Sequence, residues 1–567
     1  MTDGGIHMRK YLLFATTFFA AFLLLVGCSQ KKEQSTSSTK LLTTAQIKKN
    51  VGSKLVTTRQ DDQRKTTEKY QEIVEEGDYS LDDPYIKVDP YGVTPLSALV
   101  IFTTDKQAKV SYTVKGKSDG TSITNQVNGD YSMTHQVPVV GLYANYNNEV
   151  TINVSYQDGT TASSTIHIKT GSLPKYIKNA KITISKKDKS KMNLGDNQLT
   201  LLDRTTKEPF AVDADGEVRW YITDYSQHTF EELSNGHVLI LTKKNVNDPV
   251  YNDLVETDYL GRVYKEYNFS NKTKSSDSAN SAKATETTLI HHDIVELPNH
   301  DLLATVSDGS EYKEDVMVTI SHKTGKIVKV IDLKKLLPNS LYKNFKKGSD
   351  GKNDWFHQNS VEYDKNDNSI LISGRDQDMI MKIDYKTNEI KWIYSGKPKS
   401  SWPKKYRSKI LTPTKGTSIT GGQHALTLLN DENGNPDSED VLLYDNNVNV
   451  TNGDKKTSGK YSQAVQYHID AKKMTIDQTW AYGKKLGKSN FTYIIGNAQR
   501  LANGNTLIDF GYKNDGKESN VIEVTPEGKQ VFNLTVANSA SKAYAYRAYR
   551  MNFYSDKYEF NVIDDNE

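Results

Sequence analysis

The chain has 567 residues, enough for two or three domains with cores of their own, and its 73 Lys and Arg against 70 Asp and Glu leave a formal net charge of +3. That balance removes any general case for a nucleic-acid or strongly acidic partner. With 34 tyrosines and many short alternating stretches, the composition reads as mostly β and leaves helix a minor part.

Arg9-Lys10 followed by the apolar run Tyr11 to Val26 reads as a signal peptide, with Met8 as its start. Leu25-Val26-Gly27-Cys28 is the small-residue cleavage pattern that ends in the lipidated cysteine of bacterial lipoproteins. The run falls short of the roughly 20 residues a membrane span needs. Cys28 is the only cysteine, so no internal disulfide can form. Residues 1–28 are therefore expected to be a lipoprotein signal, with the rest exported and anchored to the membrane through Cys28. Residues 29–83 form a polar tether, with a helix permitted over Ala45 to Glu76 where few apolar positions offer themselves for burial.

Residues 84–172 hold short alternating runs at turn spacing, among them Ala98 to Thr103, Ala108 to Val114 and Glu149 to Tyr156, and predict a small β-sandwich. His135 and His167 sit within that alternation as ordinary strand residues.

Residues 173–567 repeat. One unit is a polar turn followed by an alternating strand, as in Asp215-Gly216-Glu-Val-Arg-Trp, Thr324-Gly325-Lys-Ile-Val-Lys-Val and Glu527-Gly528-Lys-Gln-Val-Phe. It occurs six times, about sixty residues apart on average, and a second hairpin unit such as Glu232-Leu-Ser-Asn-Gly-His precedes it. Two hairpins per repeat make four-stranded blades, so the chain is predicted to be all-β, a six-bladed β-propeller with an N-terminal β-sandwich. The Tyr-rich end, Ala545 to Tyr554, reads as the strand that closes the ring on the first blade.

The densest chemistry lies in Asp354 to Asp378, where two strands flank a turn at Lys365 to Asn368. His357 and Asn359 share a face at the start of the first strand, and Arg375 leaves the end of the second, so a hairpin lets the three converge. A fixed cation with neutral donors suits a tetrahedral oxyanion. Aligning the repeats sets His357 opposite His291 in one neighbour, with Gly421-Gly422-Gln423-His424 leading the equivalent strand in another. First strands line a propeller's channel, so His291, His357 and His424 are aimed at one axis. His292, His300, His322 and His468 fall on turns or opposite faces in this register and are set aside. There is no Walker-type phosphate loop, no His-Glu-x-x-His helix, no Gly-x-Ser-x-Gly elbow and no Cys-Pro-Arg segment.

The His357-x-Asn359 strand with Arg375, the His291-His292-Asp293 opening, Gly422-Gln423-His424, and the N-terminal pieces Asp89 to Leu99 and Pro138 to Ala144 together resemble the bacterial arylsulfate sulfotransferases. The resemblance spans Pro84 to the C-terminus. It implies sulfuryl transfer from an aryl sulfate donor to a phenolic acceptor through a sulfohistidine, with no nucleotide donor, cofactor or metal, outside the cytoplasm and as a homodimer. It also implies His424 as nucleophile, with His357, His291, Asn359 and Arg375 binding the sulfuryl group and moving protons. Better-known members carry a disulfide that this chain lacks the cysteines to form, and the family's threonine has only Thr492 and Asn497 as candidates for its place. Trp355, Phe356 and Tyr493 could stack an aryl ring. Two other readings draw on the same residues: a metal-dependent hydrolase with a His-lined channel, and a non-catalytic lipoprotein that binds an anion.

Overall fold

A computed structural model describes residues 41–562, except 196, 206, 244–249, 270–288, 430–433 and 436. The expected signal peptide, Cys28 and the first part of the tether lie outside the described residues.

The segment expected as a tether is ordered and packed from its second third onward. Helix α1 (Thr44–Val51) starts on a capping box between Thr43 and Gln46, ends at left-handed Gly52, and buries Ile47 and Val51. Helix α2 (Thr58–Glu76) is polar on most sides, yet Tyr70, Ile73 and Val74 recur at helical spacing and are buried. Between the helices Lys54–Val56 adds an antiparallel strand to Val263–Asn268. Three apolar residues in nineteen are a weak sequence signal, which is why this face reads as solvated chain.

The sandwich is organised by one long strand, Ser97–Val114. Its first half pairs with Tyr85–Val88 and Ser132–Val140, its second half with Ile123–Gln126 and Asn147–Tyr156. The change of partner falls at the exposed residues 105–107. Alternation along Asn147–Tyr156 turns Val150, Ile152 and Val154 inward, onto a core that includes Val110, Tyr112 and Val139.

Six further sheets follow among the described residues, and each is built on four antiparallel strands. Five run in simple sequence order. The remaining one takes its innermost strand from the C-terminus: Arg547–Asn552 pairs with Gln198–Asp203, which realises the expected closing strand. Inner strands Ile290–Glu296, Gln358–Asp364, His424–Leu429, Asn497–Arg500 and Arg547–Asn552 each lie against the next, so the sheets succeed one another around an axis as in a β-propeller. Second strands such as Ser369–Gly374 are buried along their whole length because a sheet covers each face, and they read as unbroken apolar runs. Truncating Leu371 there would cost about 2–5 kcal/mol.

Candidate active site

The inner strands share an unusual entry. His228, His292, His357, Ala425 and Ile495 stand at or just before the starts of five successive inner strands, and all are left-handed, with φ of 65°, 59°, 51°, 50° and 50°. Strand pairing slips at the same places, between Ile290 and Ile294, Gln358 and Ser360, and His424 and Thr427. A left-handed residue other than glycine costs about 1–2 kcal/mol, and strain of this kind gathers at functional sites. The effect is to turn side chains across the mouth of the channel.

His292 therefore joins the site from which the repeat register had excluded it. Its ring centre is 4.8 Å from that of His357 and 5.0 Å from that of His291, and it stacks on His228 at 4.7 Å. Its Nε2 lies 3.1 Å from Glu314 Oε2 and its Nδ1 2.9 Å from the Tyr546 hydroxyl. Burial, offset in part by Glu314, holds its pKa below the usual histidine range. His291 is buried too, which pushes its pKa down to about 3, and its Nε2 has no hydrogen-bond partner among the described residues.

His357 and His424 are driven in opposite directions. His357 Nδ1 lies 2.8 Å from both Asp354 Oδ2 and Glu314 Oε2, with the hydrogen bond going to Asp354. Burial opposes its charge, but the two carboxylates outweigh burial and hold its pKa well above the usual range. For Glu314 the balance is the mirror image: burial opposes ionisation, yet His357, His292 and His291 keep the carboxyl well below its ordinary value. Among the described residues, no acid pairs with His424. Burial first, then the nearby charges of Arg375 and His357, depress its pKa far below 6.5, so it is a neutral imidazole at pH 7.

The tautomer of His424 follows from its neighbours. Nδ1 lies 3.0 Å from Gly422 O and 2.7 Å from Asn446 Oδ1, both acceptors. Asn446 is oriented by its Nδ2, which donates to Thr492 O and Ile495 O, each at 3.0 Å. Nδ1 thus carries the hydrogen and Nε2 the lone pair.

The loop before His424 is clamped without a disulfide. Asp378 Oδ1 accepts from Gly422 N at 2.8 Å, and its Oδ2 from the backbone N–H groups of Thr451, Asn452 and Gly453 at 2.8, 2.8 and 2.9 Å. Gly421 permits this closeness, since a Cβ there would meet Val448 O at 2.6 Å.

Arg375 follows its strand as expected, and its backbone N donates to His357 O at 3.1 Å. Its Nη1 bonds Asp376 at 2.5 Å, while Nε is buried with no protein partner. Asn359 sits beside the same hairpin, its Nδ2 given to Gln423 O at 2.7 Å and its Oδ1 buried without a protein partner. Thr492 stands behind the site: its hydroxyl pairs with Tyr444 at 2.7 Å and its carbonyl orients Asn446. Asn497 is spent on the fold, both ends of its amide closing on the backbone of Ala548 at 2.9 and 2.8 Å. Trp355 and Phe356 are fully buried, the indole bonded to Asp315, so neither offers a face to an aryl group. Tyr493 is 44% exposed and stands edge-on to Tyr512.

By distance alone, His291, His292 and Glu314 bring three ligand-type atoms within 4.8 Å of one another, as do Glu314, Asp354 and His357. Hydrogen bonds and ion pairs within the cluster already engage His292, Glu314, Asp354 and His357, and the Arg375 cation is close by. The set reads as a proton-carrying network around an anion position. Sequence reasoning missed His228, Glu314, Asp354, Asn446 and Tyr546 as members of it.

Residues 183–547 match the family described as Arylsulfotransferase (ASST), and residues 85–171 the Arylsulfotransferase Ig-like domain. Arylsulfate sulfotransferase AssT of Escherichia coli O6:H1 (strain CFT073) is 26% identical over 526 residues, covering 75% of this chain and 84% of that protein. AssT of Lelliottia amnigena is 24% identical over 521 residues, with the same shares. The solved structure of a Pseudomonas aeruginosa periplasmic gluconolactonase, PpgL, aligns with 78% of this chain and 99% of its own at 9% identity and a TM-score of 0.32. With the first match running through most of its length, the chain belongs to the arylsulfotransferase family.

Proposed function

We propose that this chain transfers a sulfuryl group from an aryl sulfate ester to a phenol, through a covalent intermediate on His424 Nε2 and without a nucleotide donor. The observation that carries the reading is the pairing of a neutral His424, its lone pair fixed on Nε2, with a charged His357 and Arg375. Two histidines pushed apart in this way divide the work into nucleophile and acid. Membership of the arylsulfotransferase family supports the substrate class.

The sulfuryl oxygens carry negative charge in the transition state and are met by Arg375, with Asn359 and the neutral imidazoles as further partners. His424 Nε2 attacks sulfur as the aryl oxygen leaves. A phenolate whose acid has a pKa near 10 is a poor leaving group, so a proton from His357 assists it. The neutral His357 then accepts the proton of the second phenol as that phenol takes the sulfuryl group. Of the three aromatics expected from sequence to stack the aryl ring, Tyr493 is the one left exposed.

The decisive assay gives purified protein an aryl sulfate with no acceptor. One equivalent of phenol in a burst, with a sulfuryl group on the peptide that contains His424, is the expected result. An adduct on another histidine would reassign the nucleophile, and loss of the burst on chelation would favour the metal reading.

Export and lipid anchoring at Cys28 are part of the same proposal, supported by the Arg9-Lys10, apolar and Leu-Val-Gly-Cys sequence. Retention of a Cys28→Ser variant on membranes would count against it. A homodimer is proposed from the family resemblance, with sedimentation as its test.

A further inference from the structure

Glu314 belongs to no inner strand. It comes from the turn before Val316–Ile320 and reaches the channel mouth in a left-handed conformation, φ 56°. Its backbone is held on both sides: N donates to Ser307 Oγ at 3.3 Å, and O accepts from Gln358 N at 2.9 Å, at the start of the strand that follows His357. The side chain spans two histidines, with Oε2 at 2.8 Å from His357 Nδ1 and 3.1 Å from His292 Nε2.

We infer that Glu314 is the positioning residue of the acid step: it directs Nδ1–H of His357 away from the substrate and so leaves Nε2–H as the proton given to the departing phenol. The inference rests on the sulfuryl-transfer reading above. An ionised carboxylate only accepts, so both His357 Nδ1 and His292 Nε2 donate toward it. His292 Nδ1 must then accept from the Tyr546 hydroxyl, 2.9 Å away. One carboxylate thereby fixes the tautomer of His292 and, together with Asp354, keeps the hydrogen on His357 Nδ1 when that ring gives up its other proton.

Other groups face His357 as well. Asp354 takes its Nδ1–H directly, at 2.8 Å. Asp376 is held by Arg375, and Lys313 sits 3.8 Å from Asp354, so each added acid has a cation beside it. The remaining near neighbours, His291, His292 and His424, are imidazoles whose pKa values lie below the usual range. Glu314 is the acid without a Lys or Arg ion pair among the described residues.

The step balances. His424 Nε2 supplies the electron pair of the new N–S bond, and the S–O pair leaves with the aryl oxygen. The Nε2–H proton of His357 passes to that oxygen, and Glu314 keeps its charge throughout. His357 is left neutral and takes the acceptor's proton in the second half-reaction.

The test is the phenol burst of Glu314→Gln, measured on aryl sulfates whose phenols span a range of acidity. For a phenol of pKa near 10 the burst rate should fall about a hundredfold, the scale of general acid catalysis, and the loss should shrink steadily as the phenol becomes more acidic. Asp354→Asn, which acts on the same nitrogen without touching His292, should give the same sloping pattern more weakly. An equal loss across the series in both variants would overturn the inference and leave Glu314 a structural residue, as would no loss. If the parent protein shows no burst or no adduct on His424, the reading beneath has failed, whatever the slope.

Discussion

Asn446 Oδ1 stands 2.7 Å from His424 Nδ1, and the amide is locked in that sense because its nitrogen is committed to two carbonyls of the loop that leads into the next sheet. Asparagine gives orientation without charge, which is what a histidine that must stay neutral requires.

Asn446→Asp keeps the acceptor and adds a negative charge beside His424. That charge favours the imidazolium, so the pKa of His424 should rise and the acid limb of the first half-reaction should move to higher pH. Turnover at pH 6 should fall more than turnover at pH 8. A uniform loss at every pH would place Asn446 in the fold alone.

The parent enzyme should show a broad pH optimum with both limbs displaced from 6.5. The proposed mechanism needs His424 deprotonated, and its pKa is depressed, so the acid limb lies well below 6.5. It also needs His357 protonated, and its pKa is raised, so the alkaline limb lies well above. The profile of kcat/KM against pH reports both. A single limb near 6.5 would contradict the assignment of the two histidines.

On the proposed mechanism Arg375→Lys should lose about 10²- to 10³-fold in kcat, because a point charge cannot reproduce the planar fork assigned to the sulfuryl oxygens. The buried Nε without a protein partner is the donor lost. Near-normal kinetics would remove Arg375 from the anion site.

Asp378→Ala should cost about 3 kcal/mol or more by urea unfolding, since four backbone donors lose one charged acceptor. It should also lower kcat, because Gly422 leads directly into His424. A variant of unchanged stability would mean that the loop is held instead at Gly421, whose N donates to Asp445 Oδ1 at 2.9 Å and whose O accepts from Val448 N at 2.9 Å.

The repeat was legible because each sheet restates the same turn and alternating strand, and a period survives small irregularities. His357, His424 and Arg375 could be found because they stand at the ends of recognisable strands. His292 and His228 could not, because each is itself left-handed, and the strand that holds His292 also slips in its pairing. A shift of one position exchanges the faces of a strand, and no composition signal marks it. Glu314 and Asp354 arrive from turns, where a lone acid looks like any solvated one. Trp355 and Phe356 failed for the opposite reason: proximity in sequence to the site said nothing of direction, and the Phe356 ring packs where a Cβ on residue 374 would stand.

The strand Arg547–Asn552 closes its sheet from the far end of the chain, and the residues at its head are Tyr546, which bonds His292, and Arg547, which bonds Asp293 and the carbonyl of Asn359. The histidine cluster is therefore incomplete until the last part of the polypeptide docks. A nascent or prematurely ended chain holds every histidine named above and still lacks the parts that orient them. Only a chain that reaches Arg547–Asn552 is armed.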